Sequence, residues 1–176
     1  MEKKITFPLP PGCDPEGLSA GDEVRIDGFM YVARDAAHKR LVEAIERNED
    51  LPMDVGGCLI YYMGPSPAPE GRVIGSCGPT TSSRMDRYTV ALLKKGLKAT
   101  MGKGDRDKSI IEACIRYRAV YLVTYGGCGA YLGQFVKKSR VVAYPELGPE
   151  SILRLDVEGF PALVGIDIKG KNLYNK

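Results

Sequence analysis

Three cations lie beside predicted helix starts, where an ordinary helix would carry acids. Arg34 ends a strand-like run, Arg84 follows the hydroxyl run at 80–83 (TTSS), and Lys103 lies within the glycine turn GKGDR. The first turn of a helix carries partial positive charge and prefers Asp or Glu. Residues that break a local rule of this kind are found mostly at functional sites.

The predicted backbone around these cations is suited to anions. Helix N-termini at strand ends present free N–H groups, and in open α/β sheets such loops gather at the carboxyl ends of the strands. If the three loops converge, they form a pocket of cations, hydroxyls and N–H donors, whose natural ligand is a small molecule with two or more negative charges. A single cation near a helix start is usually just solvated, and the hydroxyl run could serve only to cap a helix.

Other chemical motifs are absent from the sequence. GGCGAYLG lacks the third glycine of a dinucleotide loop, and GKGDRDKS does not fit the P-loop pattern. His38 is the only histidine, which excludes a His-based triad or a multi-histidine metal site, and we expect it to be a packing or surface residue. The sequence contains five cysteines without a CxxC pair, which predicts free, buried or semi-buried thiols and no metal site within this chain: Cys13, Cys58, Cys77, Cys114 and Cys128.

The hydrophobic pattern predicts a mixed α/β domain with a hairpin-rich front followed by alternating strands and helices. Asp27-Gly28 predicts a hairpin turn within 22–34, and Asp35 is expected to cap a helix that runs to about Arg47. The other predicted strands are 58–64, 72–77, 97–101, 119–125, 140–146 and two stretches in the tail. Further helices are predicted from the hydroxyl run to Gly96, from the GKG turn to about Arg118 with Ile110, Ile111, Cys114 and Ile115 inside, and from about 126.

Length and composition favour one soluble domain. The chain has 176 residues, of which 44% are hydrophobic and 27% charged. A net charge of +3 gives no reason to expect a nucleic-acid or membrane partner. The sequence contains no apolar run long enough for a bilayer and no secretory signal, so we expect a cytoplasmic protein.

Several ordered motifs together resemble one known family. They are GDEVRIDGFMYVARDAAHKRL, GCLIYYMGP, GPTTSSRMD, GKG and VAYPELGPESILRLDVEGFPALVGIDIKGKNLY. The chain is similar, from about Thr6 to Tyr174, to the beta region of class I iron–sulfur fumarate hydratases and L-tartrate dehydratases. The resemblance implies a single domain over residues 1–176, the catalytic half that is C-terminal in long chains and here looks like a separate subunit. It also implies the swivelling β/β/α fold, with a mixed central sheet and flanking helices.

The same resemblance implies the reaction and its residues. The family adds or removes water across a carbon–carbon double bond flanked by carboxylates, with a [4Fe-4S] cluster held by cysteines of an alpha subunit, so none is expected on this chain alone. Thr80 matches the family's proposed base, which an aspartate of the alpha subunit would activate. The resemblance implies catalytic roles for Thr80, Arg84 and Lys103, and substrate binding by Arg34, Thr81, Ser82 and Gly104.

Several alternatives remain open at the level of sequence. The substrate could be fumarate, L-tartrate or a methyl-substituted dicarboxylate, and the chain could instead be a non-catalytic anion-binding domain of the same fold. A heterodimer with the alpha subunit is implied, a dimer of heterodimers is plausible, and the chain alone could self-associate. The family often continues GKG with Asn-Arg or Tyr-Arg, whereas this chain reads DRDKS, so Arg106 and Ser109 receive no role.

Overall fold

The computed structural model describes residues 2–175, and these contain seven strands and four α-helices. The strands are β1 (Lys3–Phe7), β2 (Glu23–Val32), β3 (Leu59–Tyr61), β4 (Ala99–Gly102), β5 (Val120–Val123), β6 (Val136–Ala143) and β7 (Ile152–Ile166). The helices are α1 (Asp35–Glu46), α2 (Asp86–Lys94), α3 (Lys108–Tyr117) and the single turn α4 (Gly129–Leu132). None of the helices within residues 2–175 has the length and apolar character needed to cross a membrane.

The sheet closes on itself. Its strand order is β1-β2-β3-β4-β5-β7-β6, with an additional pairing between β2 and β7. Strands β2 to β5 are parallel to one another, whereas β7 runs antiparallel to both β2 and β5. Five strands therefore form a barrel-like ring, which β1 and β6 extend. The prediction of a mixed α/β domain with a central sheet and flanking helices is confirmed at this level.

The core has two sides because successive side chains of a strand point to opposite faces. One large cluster is built from alternate residues of all five ring strands and fills the interior of the ring; examples are Ile26, Met30, Leu59, Tyr61, Met101, Leu122, Leu155, Phe160 and Val164. The outward-facing side chains include Ile60 and Tyr62, at and just after β3, and they pack in a second cluster with Leu41 of α1, with Met85, and with Leu92 of α2. Helix α2 thus packs over β3, and α3 packs over β5, where Ile110 and Cys114 cluster with Tyr121 and Val123.

The predicted hairpin within 22–34 is wrong, because those residues form the single continuous strand β2. Asp27 and Gly28 form a bulge instead of a turn, and the pairing with β7 shifts register there. The Asp27 carboxylate accepts the Gly159 N–H of β7 at 2.7 Å. Asp-Gly usually forms a hairpin turn, but here pairing with the distant strand β7 makes it a bulge within one strand.

Three other element predictions need correction. Residues 72–77 are not a strand; Cys77 N instead donates to the carbonyl of Gly129, the first residue of α4, at 2.9 Å. The predicted third helix after 126 is only α4 and one 3₁₀ turn, since the chain enters β6 at Val136, earlier than the predicted strand 140–146. The two tail stretches are one strand, β7.

The main helices are confirmed, with differences at their ends and faces. Arg34 occupies the N-cap of α1, so Asp35 is its first helical residue and not its cap. The cap of α3 is Asp107, whose carboxylate accepts the Ser109 N–H at 2.9 Å. Ile115 was expected inside but is 49% exposed, because the inward face of α3 is made by Ile110, Ala113 and Cys114.

The Gly28 bulge generates a stability prediction. Gly28 has φ +93°, and a Cβ there would overlap the Phe7 carbonyl oxygen on β1. Gly28→Ala combines left-handed strain of about 1–2 kcal/mol with a backbone displacement, so we expect a loss of ~3 kcal/mol or more in urea unfolding. Gly12→Ala is the matched control, since Gly12 has φ +78° with nothing within 4 Å of its Cβ position. Equal losses in the two variants would contradict the predicted clash.

Candidate active site

Four loops meet at one rim of the ring. Because β2, β3, β4 and β5 are parallel, their carboxyl ends lie at the same edge of the sheet. Arg34 follows β2, Gly64 follows β3, Lys103 follows β4 and Gly126 follows β5. The convergence that the three cations require is therefore produced by the strand topology.

The hydroxyl segment is bonded across this rim. Thr80 N donates to the Tyr62 carbonyl at 2.8 Å, and Lys103 N donates to the Thr80 carbonyl at 3.3 Å. Ser82 N donates in turn to the Lys103 carbonyl at 2.9 Å, which makes an isolated parallel bridge between Thr81 and Lys103. The backbone thus holds Thr80 and Thr81 directly beside Lys103.

Arg84 joins the second loop to the first. Its Nε donates to Asp35 Oδ1 at 3.2 Å, and its Nη2 donates to Asp35 Oδ2. Arg84 lies in the 3₁₀ turn Ser82–Met85 that precedes α2, and Asp35 begins α1 next to Arg34. The Asp35 carboxylate therefore neutralises Arg84, a cation that the positive N-terminus of α2 disfavours. Three of the five guanidinium N–H groups stay available for another carboxylate.

Arg34 packs against a glycine at the end of β3. A Cβ on Gly64 would stand 2.6 Å from Arg34 Nη1, so only glycine leaves the guanidinium this position. The Arg34 Nε is buried and has no hydrogen-bond partner within residues 2–175. A buried N–H donor without an acceptor is costly, which favours a ligand or partner that supplies one.

Lys103 completes the cation cluster but does not start a helix as predicted, since α3 begins later, at Lys108. Its side chain is exposed, and its Cδ lies 3.6 Å from the Cβ position of Gly126. Thr81 is exposed, whereas Thr80 and Gly104 are half-buried. These residues share the rim with Arg34 and Arg84.

Ser82 is the expected site residue that the structure does not bring to the surface. Its side chain is fully buried, and its Oγ lies 2.9 Å from the Tyr121 hydroxyl. Tyr121 also donates to the Gly104 carbonyl at 2.7 Å, and because a phenol has one proton, Ser82 must donate to Tyr121. Ser82 therefore lies beneath the rim and braces Gly104 through Tyr121, and its contact with substrate stays a prediction.

His38 lies under the first loop and is completely buried. Its Nδ1 donates to the Arg34 carbonyl at 2.8 Å, and its ring packs edge-on against Tyr62 at 5.3 Å. Burial is the main cause that lowers the pKa of His38 to about 4, with Arg106 lowering it further and the Arg34 carbonyl and Asp35 opposing. His38 is therefore a neutral packing residue that also fixes the backbone of Arg34.

The titratable side chains in the part of the chain that the structure describes do not fit a metal ion or cluster. Within residues 2–175 there is no group of three or more His, Cys, Asp or Glu side chains with the spacing of a metal site. Burial raises the pKa of the Cys58, Cys77 and Cys114 thiols to about 12, which disfavours the thiolate that a metal needs. Cys13 and Cys128 are exposed, which corrects the expectation that every thiol is at least partly buried.

Comparison with known proteins identifies the family. A family model described as the fumarase C-terminus matches residues 15–176. The chain belongs to the fumarase C-terminus family. The rim described above lies within the matched region.

Relatives within the fumarase C-terminus family differ in length. The chain is 40% identical over 153 residues to the class I, aerobic fumarate hydratase of Salmonella typhimurium, covering 86% of this chain but 26% of the relative. It is 40% identical over 159 residues to fumarate hydratase 2 of Leishmania major, covering 89% of this chain and 28% of the relative. It is 37% identical over 169 residues to a Methanocaldococcus jannaschii protein named "Putative L(+)-tartrate dehydratase subunit beta", covering 93% of this chain and 87% of the relative.

Sequence reasoning missed the residues that hold the rim together in this member of the family. Asp35 was interpreted as a helix cap, Arg106 received no role, and Tyr121 was only part of an apolar strand. The sequence did contain a signal for Asp35. It is an acid directly beside Arg34, which makes it a candidate counter-ion for the predicted cation cluster. Its partner Arg84 is 49 residues away along the chain, so only the fold joins them.

The burial of neutral His38 predicts a specific pH dependence. Its folded-state pKa is depressed, so its contribution to stability is present above the unfolded pKa of 6.5 and is lost as pH falls towards about 4. His38→Gln cannot titrate, and the difference in unfolding free energy between wild type and variant should fall by up to ~3 kcal/mol between pH 7 and 4. Urea unfolding at several pH values measures this difference. A constant difference across the range would show that His38 is not held neutral by burial.

Proposed function

We propose that this chain is the beta subunit of a hydro-lyase that reversibly hydrates fumarate to L-malate, and that it acts only with an alpha subunit. The observation that carries the proposal is the rim, where Thr80 lies among Arg34, Arg84 and Lys103. Membership of the fumarase C-terminus family and the class I fumarate hydratase relatives support it. We further propose that residues 1–176 form one domain with the family's swivelling β/β/α fold.

The cations suit a substrate with two carboxylates. Arginine can bind a flat carboxylate through two parallel hydrogen bonds, whereas lysine supplies a compact charge. We assign Arg34 and Arg84 to the substrate carboxylates and Lys103 to the charge that develops during reaction. Thr81 and the Gly104 backbone add polar groups at the same rim, while Ser82 acts from below.

Thr80 is the proposed general base. Removal of a proton from carbon beside a carboxylate builds negative charge on that carboxylate, which fixed cations stabilise without reorganisation. A threonine hydroxyl is a weak base, so Thr80 needs an activating partner, which we place on the alpha subunit as an aspartate. Its backbone bonds to Tyr62 and Lys103 hold its hydroxyl-bearing carbon in place for this role.

The family's [4Fe-4S] cluster would have to arrive with the alpha subunit, because the thiols of this chain do not fit one. In that assembly its open iron would act as a Lewis acid towards the substrate hydroxyl and carboxylate. This chain's own contribution is to bind and orient the dicarboxylate and to remove the proton.

The loop after β5 offers a surface for the alpha subunit beside the rim. Tyr125 and Tyr131 are 40% and 44% exposed, and Gly126 between them adjoins Lys103. Exposed aromatic side chains are enriched in protein interfaces. We propose that this loop faces the alpha subunit, in a heterodimer that can pair into a dimer of heterodimers, and that the chain alone can self-associate.

L-tartrate dehydration is the second candidate. The chain covers 87% of the M. jannaschii relative, whose name carries both L(+)-tartrate and a beta subunit. The rim residues suit either dicarboxylate, as they would a methyl-substituted one. A non-catalytic anion-binding role would need the same cations but no Thr80 base.

Reconstitution tests the proposed function. The chain is co-expressed with an alpha subunit, and the complex and the chain alone are assayed with fumarate, L-malate, L-tartrate and a methyl-substituted fumarate. We expect a complex that interconverts fumarate and L-malate and a chain that is inactive alone. Preference for L-tartrate would favour the second candidate, and a complex inactive on every dicarboxylate would reject the hydro-lyase assignment. Enzyme-like turnover by the chain alone would reject the need for a partner.

The contribution of the Thr80 hydroxyl can be measured separately from that of its branched side chain. Thr80→Val keeps the branched side chain and removes the hydroxyl, so we expect kcat of the complex to fall ~10²–10⁴-fold while KM changes by less than about threefold. Ser83→Ala is the matched control, because Ser83 is an exposed hydroxyl residue of the same segment. An unchanged kcat in Thr80→Val would remove Thr80 from the mechanism.

A further inference from the structure

Arg106 is a cation buried directly beneath the rim loops. Its side chain is 0% exposed, although it follows the exposed Lys103 by only three residues. Nε donates to Asp86, Nη1 donates to Thr100 Oγ1 at 3.1 Å, and Nη2 donates to Thr89 Oγ1 at 2.8 Å. These bonds join the loop to both α2 and β4.

Two aromatic rings complete the surroundings of Arg106. The guanidinium carbon lies 4.8 Å from the Tyr121 ring centroid and 5.4 Å from that of Tyr62. Burial by itself lowers the pKa of Arg106, but Tyr62, Asp86 and Tyr121 raise it, and the net change is upward. The side chain therefore stays charged, and each of its three guanidinium nitrogens has a hydrogen-bond acceptor within the chain.

The loop is fastened at both of its ends. Asp86, the partner of Arg106, also accepts the Asp107 N–H at 2.8 Å, which fixes the end of the loop nearer α3. At the other end, Lys103 is bonded to the backbone of the Thr80 segment. Arg106 lies between these two points, so its position limits where Lys103 can lie.

We infer that Arg106 is a positioning residue, which holds the GKG loop against α2 and β4 and so fixes Lys103 relative to Thr80 and Arg84. The inference rests on the proposed function, because it assigns Arg106 a role in the same site. It acts through geometry: a displacement of about 1 Å in a catalytic group can cost on the order of 10²-fold in rate.

Global stability is a weaker explanation of this arrangement. A buried ion pair often contributes little net stability compared with apolar residues of similar volume, because desolvation offsets the attraction. What the fork of Arg106 provides, and a point charge does not, is simultaneous attachment to Asp86, Thr89 and Thr100.

The test compares Arg106→Lys with Arg118→Lys. Lysine keeps the charge at 106 but loses the fork, whereas Arg118 is a half-exposed arginine that pairs with Asp14 and Glu16. Hydrogen exchange of the full chain measures the protection of two backbone amides. The Ser82 amide donates to the Lys103 carbonyl, and the Asp107 amide donates to Asp86. In Arg106→Lys we expect about tenfold or greater loss of protection at these two amides, with amides of β7 unchanged.

The complex provides the second readout. We expect Arg106→Lys to lower kcat at least about tenfold with KM within about threefold, since Arg34 and Arg84 still bind the substrate. Arg118→Lys should leave protection and kcat unchanged. If Arg106→Lys fails to fold, Thr100→Val decides, because it removes one acceptor of Arg106 and preserves shape; the same two amides should lose protection.

Unchanged protection and kcat in Arg106→Lys, or in Thr100→Val where the lysine variant does not fold, would overturn the inference. A uniform loss of protection across β7 would also overturn it, since that would mean general destabilisation. If the wild-type complex lacks hydratase activity, the proposed function fails, while hydrogen exchange still decides whether Arg106 fixes the loop. The two failures are therefore distinguishable.

Discussion

The pairing of β7 with both β2 and β5 is the constraint on which the site depends. It closes five strands into a ring, so that the carboxyl ends of four parallel strands surround one rim and cannot splay apart. The Asp27–Gly28 bulge, bonded to Gly159, lets β2 follow β7 around this closure. The loops that follow these four strands are far apart in sequence but lie at the same rim. Their cations are therefore brought to one side of the ring.

The charges at this rim fall into two groups. Arg84 and Arg106 are paired within the chain, with Asp35 and Asp86 respectively, and these pairs connect the first loop to the second and the second to the third. Arg34 has a buried Nε without a partner among residues 2–175, and Lys103 is exposed and forms no ion pair there. The two ion pairs thus fix the frame, Arg84 keeps N–H groups for a carboxylate, and Arg34 and Lys103 retain positive charge for a ligand.

Hydrophobic periodicity in the sequence was sufficient to predict part of the fold. Periodicity predicted α1 to α3, β3 and β5, and the parallel topology behind the rim followed from alternating strands and helices. Closure was not predictable, since it depends on Leu163 meeting both Glu23 and Val123 across the whole chain. For the same reason Asp27-Gly28 was wrongly interpreted as a turn. The site cations were visible as residues that oppose the helix dipole, but Asp35, Tyr121 and Arg106, which hold them, act through contacts that no local spacing encodes.

A crystal structure of the complex with the alpha subunit, soaked with succinate, tests the central claim most directly. Succinate has the two carboxylates of the proposed substrate but no double bond to hydrate. The account predicts a single succinate at the rim, with its carboxylates contacting Arg34, Arg84 and Lys103 and with Thr80 beside its methylene carbons. A succinate bound elsewhere, or held without any of these three cations, would contradict it.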